Sequence, residues 1–377
     1  MKTLQCIFSV IMLTVSVTSL GQPSHYIYVS DAGNFTISTS QILRYDLDGS
    51  NPQTFISSDT FITNNIGWPQ DILFLENQGI VLVSCLIGNK ITIHDANNGD
   101  YLGDFAAVAG GPTRMKIGPD EKIYVVQWST TDNKVLRFEQ DGTPLGEYTD
   151  IGVPRSVGLD FDGAGNMYVG SYGGNTVTKF DSAGISQGVL INTELSGPTN
   201  VMIEQGGTLL VLNWNGGNIK RFNASGVFME TFTTAVTQPE GITTHPVSSN
   251  YVVGNGGSAQ IDEFAPNGTF VGTIVSSGLG GLIQPNAVVI RDASLAVKDF
   301  KKNKLLVTPT IGSLFLLNTT ETKSLDSLEV FTLMGQKVAS VSLLQEQWNA
   351  DFLTEGVYVL VAKVNTTQYV QKIIVKK

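Results

Sequence analysis

The feature that most limits the possible folds of this chain is a phrase that recurs about every 42 residues. Residues 169–184, VGSYGGNTVTKFDSAG, return as VLNWNGGNIKRFNASG at residues 211–226. Related units follow prolines at six places, which are Pro69, Pro112, Pro154, Pro198, Pro239 and Pro285. Repeats of this length indicate an architecture in which one supersecondary unit stacks on the next.

Each unit contains four short apolar stretches, separated by turns rich in Gly, Asn and Asp. After Pro154, for example, SVGLDF is followed by NMYVGSY and NTVTKF, and the turn DSAGI leads into a fourth stretch. Four short antiparallel strands per unit predict the blades of a β-propeller. A β-solenoid is the alternative, but its rungs are shorter. We therefore predict an all-β fold.

The first and last units complete each other. The unit at Pro285 supplies only a first strand, QPNAVVI at residues 284–290, whereas HYIYVSD near the start reads as a second strand. Joining them predicts a six-bladed β-propeller whose ring closes by pairing between the N-terminal strands and residues 284–290. Closure would remove the free sheet edges that invite aggregation.

The order of proline, apolar strand, Tyr-Val strand, Asn-x-Ile strand and Phe-Asp-x-x-Gly turn is similar to that of NHL-repeat propellers. It also resembles their gluconolactonase and regucalcin relatives, and the resemblance covers residues 24–290. It implies that the first strand of each blade lines a central channel. Activity does not follow from it, because propellers of this kind include binding scaffolds, lactonases and lyases.

Residues at the start of each first strand and the end of each second strand should meet at one mouth of the channel, because these strands run antiparallel. The repeat varies at these positions, as a tailored binding surface would. Aromatic rings there could stack on sugar rings or other flat ligands, or could simply fill gaps between blades. The candidate ligand-binding residues are Trp128, Tyr172, Trp214, Gln127, Asn213, Arg155 and Asp71.

A second group of mouth residues carries oxygen atoms that suit a divalent cation such as calcium. The candidate metal ligands are Glu240, Asn200, Asn286 and Asp31. Gluconolactonase-like propellers hold a metal with a Glu, and the resemblance makes Glu240, which follows Pro239, the candidate catalytic residue. The alternative is that these side chains cap turns and that the protein has no cofactor.

Charge and histidine content narrow the possible functions. Residues 23–290 carry 25 acidic and 11 basic side chains, whereas residues 291–377 carry 8 acidic and 11 basic ones. An acidic body repels phosphate backbones, so we expect no nucleic-acid partner. The chain has three histidines, and none falls at a mouth position, which disfavours histidine-dependent lyase chemistry.

The N-terminal segment MKTLQCIFSVIMLTVSVTSLGQ has one lysine, an uncharged apolar run and small residues at its end. It predicts a signal peptide at residues 1–21, with an uncleaved membrane anchor as the alternative. The propeller would then occupy residues 22–290. A change to polar and basic composition predicts a linker at 291–304, followed by a small β-sandwich of about seven strands at 305–377.

Three C-terminal stretches, LEVFTLMGQKV, EGVYVLVAKV and KIIVKK, resemble the C-terminal sorting domain of the Bacteroidota type IX secretion system. The resemblance implies contact with the type IX machinery, no transmembrane segment in the mature protein, and a location in the medium or on the outer-membrane surface. We expect a non-catalytic propeller that binds an extracellular glycan, small molecule or protein. A metal-dependent lactonase or hydrolase that uses Glu240 is the alternative.

Overall fold

The structure, a computed structural model, describes residues 24–293, 306–318, 325–332, 336–364 and 367–377. The predicted signal peptide and residues 294–304 of the predicted linker lie outside these ranges. The described residues are almost entirely β-strands and turns, as predicted, with one α-helix, α1, at Ser58–Thr63. No helix among them is long and apolar enough to cross a bilayer.

Residues 24–293 form six sheets of four strands each, numbered here in chain order. Sheet 1 begins with β1 (His25–Asp31), β2 (Gln41–Asp46) and β3 (Gln53–Ile56). Sheet 2 contains β4 (Gly67–Leu75), β5 (Ile80–Ile87), β6 (Lys90–Asp95) and β7 (Tyr101–Ala107). Sheet 3 contains β8 (Pro112–Ile117), β9 (Ile123–Gln127), β10 (Leu136–Phe138) and β11 (Pro144–Glu147).

The next three sheets repeat this order. Sheet 4 contains β12 (Ser156–Phe161), β13 (Met167–Ser171), β14 (Thr176–Phe180) and β15 (Ser186–Ile191). Sheet 5 contains β16 (Pro198–Ile203), β17 (Leu209–Asn213), β18 (Asn218–Phe222) and β19 (Phe228–Thr233). Sheet 6 contains β20 (Pro239–Thr244), β21 (Tyr251–Asn255), β22 (Gln260–Phe264) and β23 (Phe270–Val275), and β24 (Pro285–Asp292) then returns to sheet 1.

Sheet 1 joins the two ends of this region. β24 pairs antiparallel with β1, with Ile27 opposite Ile290, and the strand order is β24, β1, β2, β3. This confirms the predicted pairing between the N-terminal strand and the last strand of the repeat region. β24 continues to Asp292, so the first two residues that the sequence assigned to the linker belong to the strand.

Each sheet packs face to face on the next through its own apolar core. These cores lie between sheets 1 and 2, 2 and 3, 3 and 4, 4 and 5, and 5 and 6. A further core, which contains Ile27 and Val252, lies between sheets 6 and 1. Sheets that follow one another in this way, with the last packed on the first, have the arrangement of a β-propeller.

A tight turn between the third and fourth strands explains part of the repeated phrase. Asp181 and Asn223, at equivalent positions, each accept hydrogen bonds from the backbone N–H groups two and four residues later. Gly184 and Gly226 follow with left-handed φ values of 80° and 77°. A Cβ at Gly184 would lie 2.2 Å from the carbonyl oxygen of Tyr148 in the preceding unit, so only glycine fits there.

The described residues from 306 onward form two further sheets. One contains β25 (Val307–Thr308), β27 (Leu314–Leu317) and β30 (Gln347–Asn349), and the other contains β26 (Ile311–Gly312), β28 (Ser327–Thr332), β29 (Lys337–Ser340), β31 (Gly356–Val364) and β32 (Thr367–Val375). Phe315 and Trp348 of the first sheet share one core with Leu360 and Ile373 of the second. This is a small two-layer β-sandwich of eight strands, where the sequence predicted about seven.

The guanidinium group of Arg114, on β8, lies between the first strands of several sheets. Its Nη1 donates a hydrogen bond to the carbonyl oxygen of Gln70 (2.5 Å). Its Nη2 donates to the carbonyl oxygens of Asn286 (3.0 Å) and Glu240 (3.2 Å). These carbonyls belong to sheets 2, 1 and 6, so one side chain of sheet 3 holds the first strands of three other sheets.

Two buried carboxylates flank this guanidinium. Nη1 of Arg114 is 3.5 Å from Oδ1 of Asp71, and Nη2 is 3.5 Å from Oε1 of Glu240. Burial raises the pKa of both carboxyl groups, that of Glu240 to about 7, and the positive charge of Arg114 opposes the rise. The central cluster therefore contains two acids and one guanidinium.

Replacing Arg114 by Met should destabilise the protein by about 3–5 kcal/mol at pH 8, because two buried carboxylates lose their partner charge. Urea unfolding followed by tryptophan fluorescence measures this loss. Lys116→Met, on the same strand, is the matched control. The Lys116 side chain is 47% exposed and pairs with Asp160, so its replacement should cost less than about 1 kcal/mol. Equal stability of the two variants would contradict the role given to Arg114.

The contribution of Glu240 to the stability should fall by about 2–3 kcal/mol as the pH rises from about 5 to about 8, measured as the difference between the wild type and Glu240→Gln, because buried His94 has an opposite effect that both proteins share. The pKa of Glu240 lies near 7 in the folded protein and at 4.5 ordinarily, so between these values the folded state keeps a proton that the unfolded chain has released. Chemical unfolding at several pH values measures the slope. Glu240→Gln cannot titrate and should lose this component, and an unchanged slope in that variant would refute the assignment.

Candidate ligand-binding site

In five of the six sheets the first and second strands meet in the register that the sequence predicts. Pro112 at the start of β8 lies opposite Gln127 at the end of β9, and Pro198 lies opposite Asn213 in the same way. The two sets of mouth residues therefore lie at one end of the strands.

Sheet 4 departs from this register. Ser156, not Pro154, lies opposite the end of the second strand. Arg155 consequently precedes the strand, and Val157 takes the mouth position that the sequence assigned to Arg155. Pro154 does not mark the start of the first strand in this unit, because β12 begins two residues after it.

Five aromatic side chains meet at the mouth and line a cavity of about 240 Å³. They come from five consecutive sheets or the loops at their ends, and they are Phe35, Trp68, Trp128, Tyr172 and Trp214. The other lining residues are Gln70, Leu86, Val157, Thr199 and Glu240. The structure thus brings the three predicted rings together and adds two that the sequence analysis missed.

The rings contact one another around the cavity. The ring centroids of Trp128 and Tyr172 are 5.4 Å apart. The centroid of Phe35 is 4.6 Å from that of Trp68 and 6.4 Å from that of Trp214. Phe35 therefore connects the rings of sheets 2 and 5 across the mouth.

Phe35 and Trp68 could be recognised only in part from the sequence. Phe35 lies in the long loop between β1 and β2, which has no counterpart of equal length in the other sheets. Trp68 stands directly before Pro69, where sheets 3 and 5 have Gly111 and Gly197, and its φ of 48° is left-handed. A tryptophan with left-handed φ at a position that carries glycine in sheets 3 and 5 costs backbone strain, and this was the available signal.

The predicted ligand contacts of Gln127 and Asn213 are not supported, because both amides are used within their own sheets. Oδ1 of Asn213 accepts a hydrogen bond from the N–H of Ser196 (3.0 Å), and Nδ2 donates to Oδ1 of Asn218 (2.9 Å). Gln127 likewise accepts from the N–H of Gly110 and donates to a backbone carbonyl. These side chains fix the loop that precedes each first strand.

Arg155 lies at the edge of the mouth and Asp71 lies below it. Arg155 is exposed, and its guanidinium carbon is 5.8 Å from the ring centroid of Trp128. The carboxylate of Asp71 accepts a hydrogen bond from the N–H of Met115 (2.8 Å) and lines a different cavity. Asp71 does not line the aromatic cavity.

Glu240 is the acidic residue of the cavity floor and is 4% exposed. The amide of Gln70 is oriented to match its neighbours. Its nitrogen donates to Oε1 of Glu240 (3.0 Å), and its oxygen accepts from Nε1 of Trp68 (2.5 Å) and Nδ2 of Asn286 (2.8 Å). The hydroxyl of Thr199 donates to a backbone carbonyl of sheet 6 (2.6 Å). The polar groups of the floor are thus hydrogen-bonded to one another and to the backbone.

The residues predicted to hold a divalent cation do not fit one. A metal coordinated directly by Oε1 of Glu240 would have to replace Nη2 of Arg114, which lies 3.5 Å from that oxygen, and the amide of Gln70, at 3.0 Å. Nδ2 of Asn200 donates to the carbonyl oxygen of Glu240 (2.9 Å), and its Oδ1 accepts from a backbone N–H. Asn286 belongs to the hydrogen-bonded floor.

Asp31, the fourth predicted metal ligand, has a different role. Its carboxylate accepts hydrogen bonds from the backbone N–H groups of Ile283 (3.1 Å) and Gln284 (2.7 Å), beside the pairing of β1 with β24. It therefore anchors the two ends of the repeat region to each other. No group of three His, Cys, Asp or Glu residues that could hold a metal occurs in the part of the chain that the structure describes.

The channel continues beyond Arg114 as a larger cavity of about 710 Å³. Its lining includes Asp71 and Arg114, together with the ion pair of Lys116 and Asp160 (2.7 Å). Glu240 lines the aromatic cavity, whereas Arg114 and Asp71 line this one. The central ion cluster therefore separates an aromatic cavity from a polar one.

Comparison with solved structures supports the fold of residues 24–293. A chain of the nidogen/laminin complex has a TM-score of 0.57 at 12% identity, over 71% of this chain and 98% of that one. A Bacteroides caccae protein of unknown function has a TM-score of 0.56 at 14% identity, over 71% of this chain and 99% of that one. At this level of identity the likeness establishes the fold alone.

A putative gluconolactonase gives a TM-score of 0.45 at 14% identity, over 60% of this chain and 84% of that one, and this likeness supports no conclusion about activity. None of the curated proteins matches the sequence significantly.

The C-terminal part of the chain matches a known family of domains. Residues 308–376 match the family described as the secretion system C-terminal sorting domain. This domain directs export by the type IX system, which places the protein on the cell surface or in the medium and requires contact with the secretion machinery. The chain is therefore an exported β-propeller protein that carries a type IX C-terminal sorting domain.

Proposed function

We propose that this protein is a six-bladed β-propeller, each sheet forming one blade, that binds an extracellular ligand in its aromatic cavity without catalysing a reaction. The ligand is a glycan, a small molecule or a side chain of another protein. The observation that carries the proposal is the meeting of five aromatic rings from five consecutive sheets around one cavity.

The five rings are not needed to fill the spaces between the sheets. The apolar cores between neighbouring sheets are built from other residues, and none of these cores contains one of the five rings. Trp128, Tyr172 and Trp214 are each partly exposed. Large partly exposed rings that converge on a concave surface are typical of sites that bind flat or apolar groups.

The same geometry argues against the lactonase or hydrolase alternative. The carboxylate of Glu240 is surrounded by the guanidinium of Arg114 and the amides of Gln70 and Asn286, which leaves it poorly placed to hold a metal or activate a water. His94 is fully buried, and burial lowers its pKa to about 4. Neither His94 nor another histidine lines the aromatic cavity.

We further propose that residues 1–21 are removed as a signal peptide and that a linker, shortened by the end of β24 to residues 293–304, connects the propeller to the sorting domain. The repeats are of NHL type in this proposal. N-terminal sequencing of the exported protein would test the first point by showing whether it begins at Gln22.

Trp214→Ala should weaken binding by at least about tenfold, since buried tryptophan contacts are among the strongest in binding sites. Glycan arrays and a small-molecule fluorescence screen supply the ligand, and isothermal titration calorimetry measures affinity. Phe270→Ala is the control, because Phe270 is 47% exposed on β23 and does not line the cavity. A ligand that binds both variants as well as the wild type would place the site elsewhere.

Calcium and zinc should leave the thermal unfolding temperature unchanged, because a metal coordinated by Oε1 of Glu240 would have to replace two partners of that oxygen, Nη2 of Arg114 and the amide of Gln70. Differential scanning fluorimetry of the wild type and Glu240→Ala, each with and without metal, tests this. A metal-dependent rise in the wild type that disappears in Glu240→Ala would support the hydrolase alternative instead.

A further inference from the structure

We propose that the aromatic cavity recognises an organic cation, and specifically a methylated ammonium group. This inference rests on the proposed function, since it names the chemical class of ligand for the same cavity. It follows from three properties of the site, which are its ring faces, the acidic residue of its floor and the small number of polar groups that its floor leaves free.

Aromatic faces attract cations. The negative face of an indole or phenol ring attracts an ammonium group within about 6 Å, and clusters of such rings are the usual receptors for quaternary ammonium groups. Trp68, Trp128 and Trp214 line the cavity together with Phe35 and Tyr172. Tryptophan is the most effective residue for this interaction, and three of the five rings are tryptophans.

The floor has two carboxyl groups for one guanidinium, so it is negative when both acids are ionised. Asp71 and Glu240 share the guanidinium of Arg114, at 3.5 Å from each, so the ionised cluster has a net charge of about −1. Lys116, the next cation along β8, is already paired with Asp160. Glu240 is the member of the cluster that lines the aromatic cavity, so a cation among the rings would face this uncompensated charge.

Few polar groups remain for a sugar. The hydroxyl of Thr199 donates to a backbone carbonyl, that of Tyr172 donates to Asn215, and Gln70 is bonded to Trp68, Asn286 and Glu240. A sugar ring brings several hydroxyl groups that need partners when buried. A trimethylated ammonium group brings no hydrogen-bond donor or acceptor, and requires only ring faces and a carboxylate.

The size of the cavity agrees with a head group. Its volume of about 240 Å³ is below the roughly 300–1,000 Å³ that is typical of sites for drug-sized ligands. The cavity therefore suits the end of a ligand, with the remainder of the molecule outside.

Choline and 3,3-dimethylbutan-1-ol test the inference, because they have nearly the same shape and only choline is charged. Titration calorimetry on the full chain at pH 8, where Glu240 is ionised, should give choline at least about tenfold higher affinity than the neutral alcohol. Equal affinities, or tighter binding of the alcohol, would overturn the inference.

Two variants test which residues cause the preference for choline over the neutral alcohol. Glu240→Gln keeps the shape of the floor and removes its charge, so it should weaken choline binding by about tenfold and leave the alcohol unaffected. Because this variant also alters the central cluster, Trp214→Leu provides a second test at the partly exposed edge of the site. It keeps apolar surface and removes a π face, so the preference for choline should decrease severalfold. Choline binding that neither variant changes would overturn the inference.

The experiment separates this inference from the proposed function. If a glycan or neutral ligand binds in a Trp214-dependent manner and choline does not, the organic cation is the wrong class and the cavity is still the site. If no ligand depends on Trp214, the proposed site is itself wrong. A trimethyllysine peptide and phosphatidylcholine vesicles, compared with unmodified lysine peptide and phosphatidylglycerol vesicles, identify the molecule that carries the group.

Discussion

The structure of the propeller depends on one cation at its centre. Arg114 extends from sheet 3 and donates hydrogen bonds to carbonyl oxygens of three other sheets, while its charge balances that of two buried carboxylates. A buried guanidinium is costly unless it is paired with opposite charge, and removal of one partner leaves the remaining charges buried without compensation. The apolar cores hold neighbouring sheets in pairs, whereas Arg114 connects sheet 3 with sheets 1 and 6, which are not its neighbours, as well as with sheet 2. It also forms the boundary between the aromatic and polar cavities, so the same contact shapes the candidate site.

Much of the fold could be predicted from local sequence, and less of the site. The period near 42 residues, the turn glycines and the incomplete first and last units were sufficient to predict the sheets and the pairing of β1 with β24. Trp128, Tyr172 and Trp214 could be placed at the mouth because they occupy one repeat position. Phe35 could not, because it lies in a loop outside the repeat. The contacts of Arg114 join residues 44, 126 and 172 positions away and exist only once the ring is formed. The amides of Gln127 and Asn213 show a different difficulty, since residue type does not reveal whether a polar group faces a ligand or its own loop.

The propeller achieves its cohesion without disulfides. Cys85 is the free cysteine in the described part of the chain, and burial raises its pKa to about 12, which leaves it an unreactive thiol in the core between sheets 1 and 2. Proteins exported to oxidising surroundings often rely on disulfides. Here the pairing of β24 with β1, the anchor at Asp31 and the central cluster join the two ends of the region instead.

The position of Phe35 depends on contacts between the first strand and the last strand of the propeller. This loop begins at Asp31, whose carboxylate binds the backbone just before β24, the last strand of the propeller to be synthesised. Until that strand arrives, β1 has no inner neighbour and Phe35 has no fixed position over the other rings. A chain without β24 would have the four rings of sheets 2 to 5 and would lack the contacts that position the fifth ring. The complete mouth is therefore a property of the closed ring and not of any single repeat.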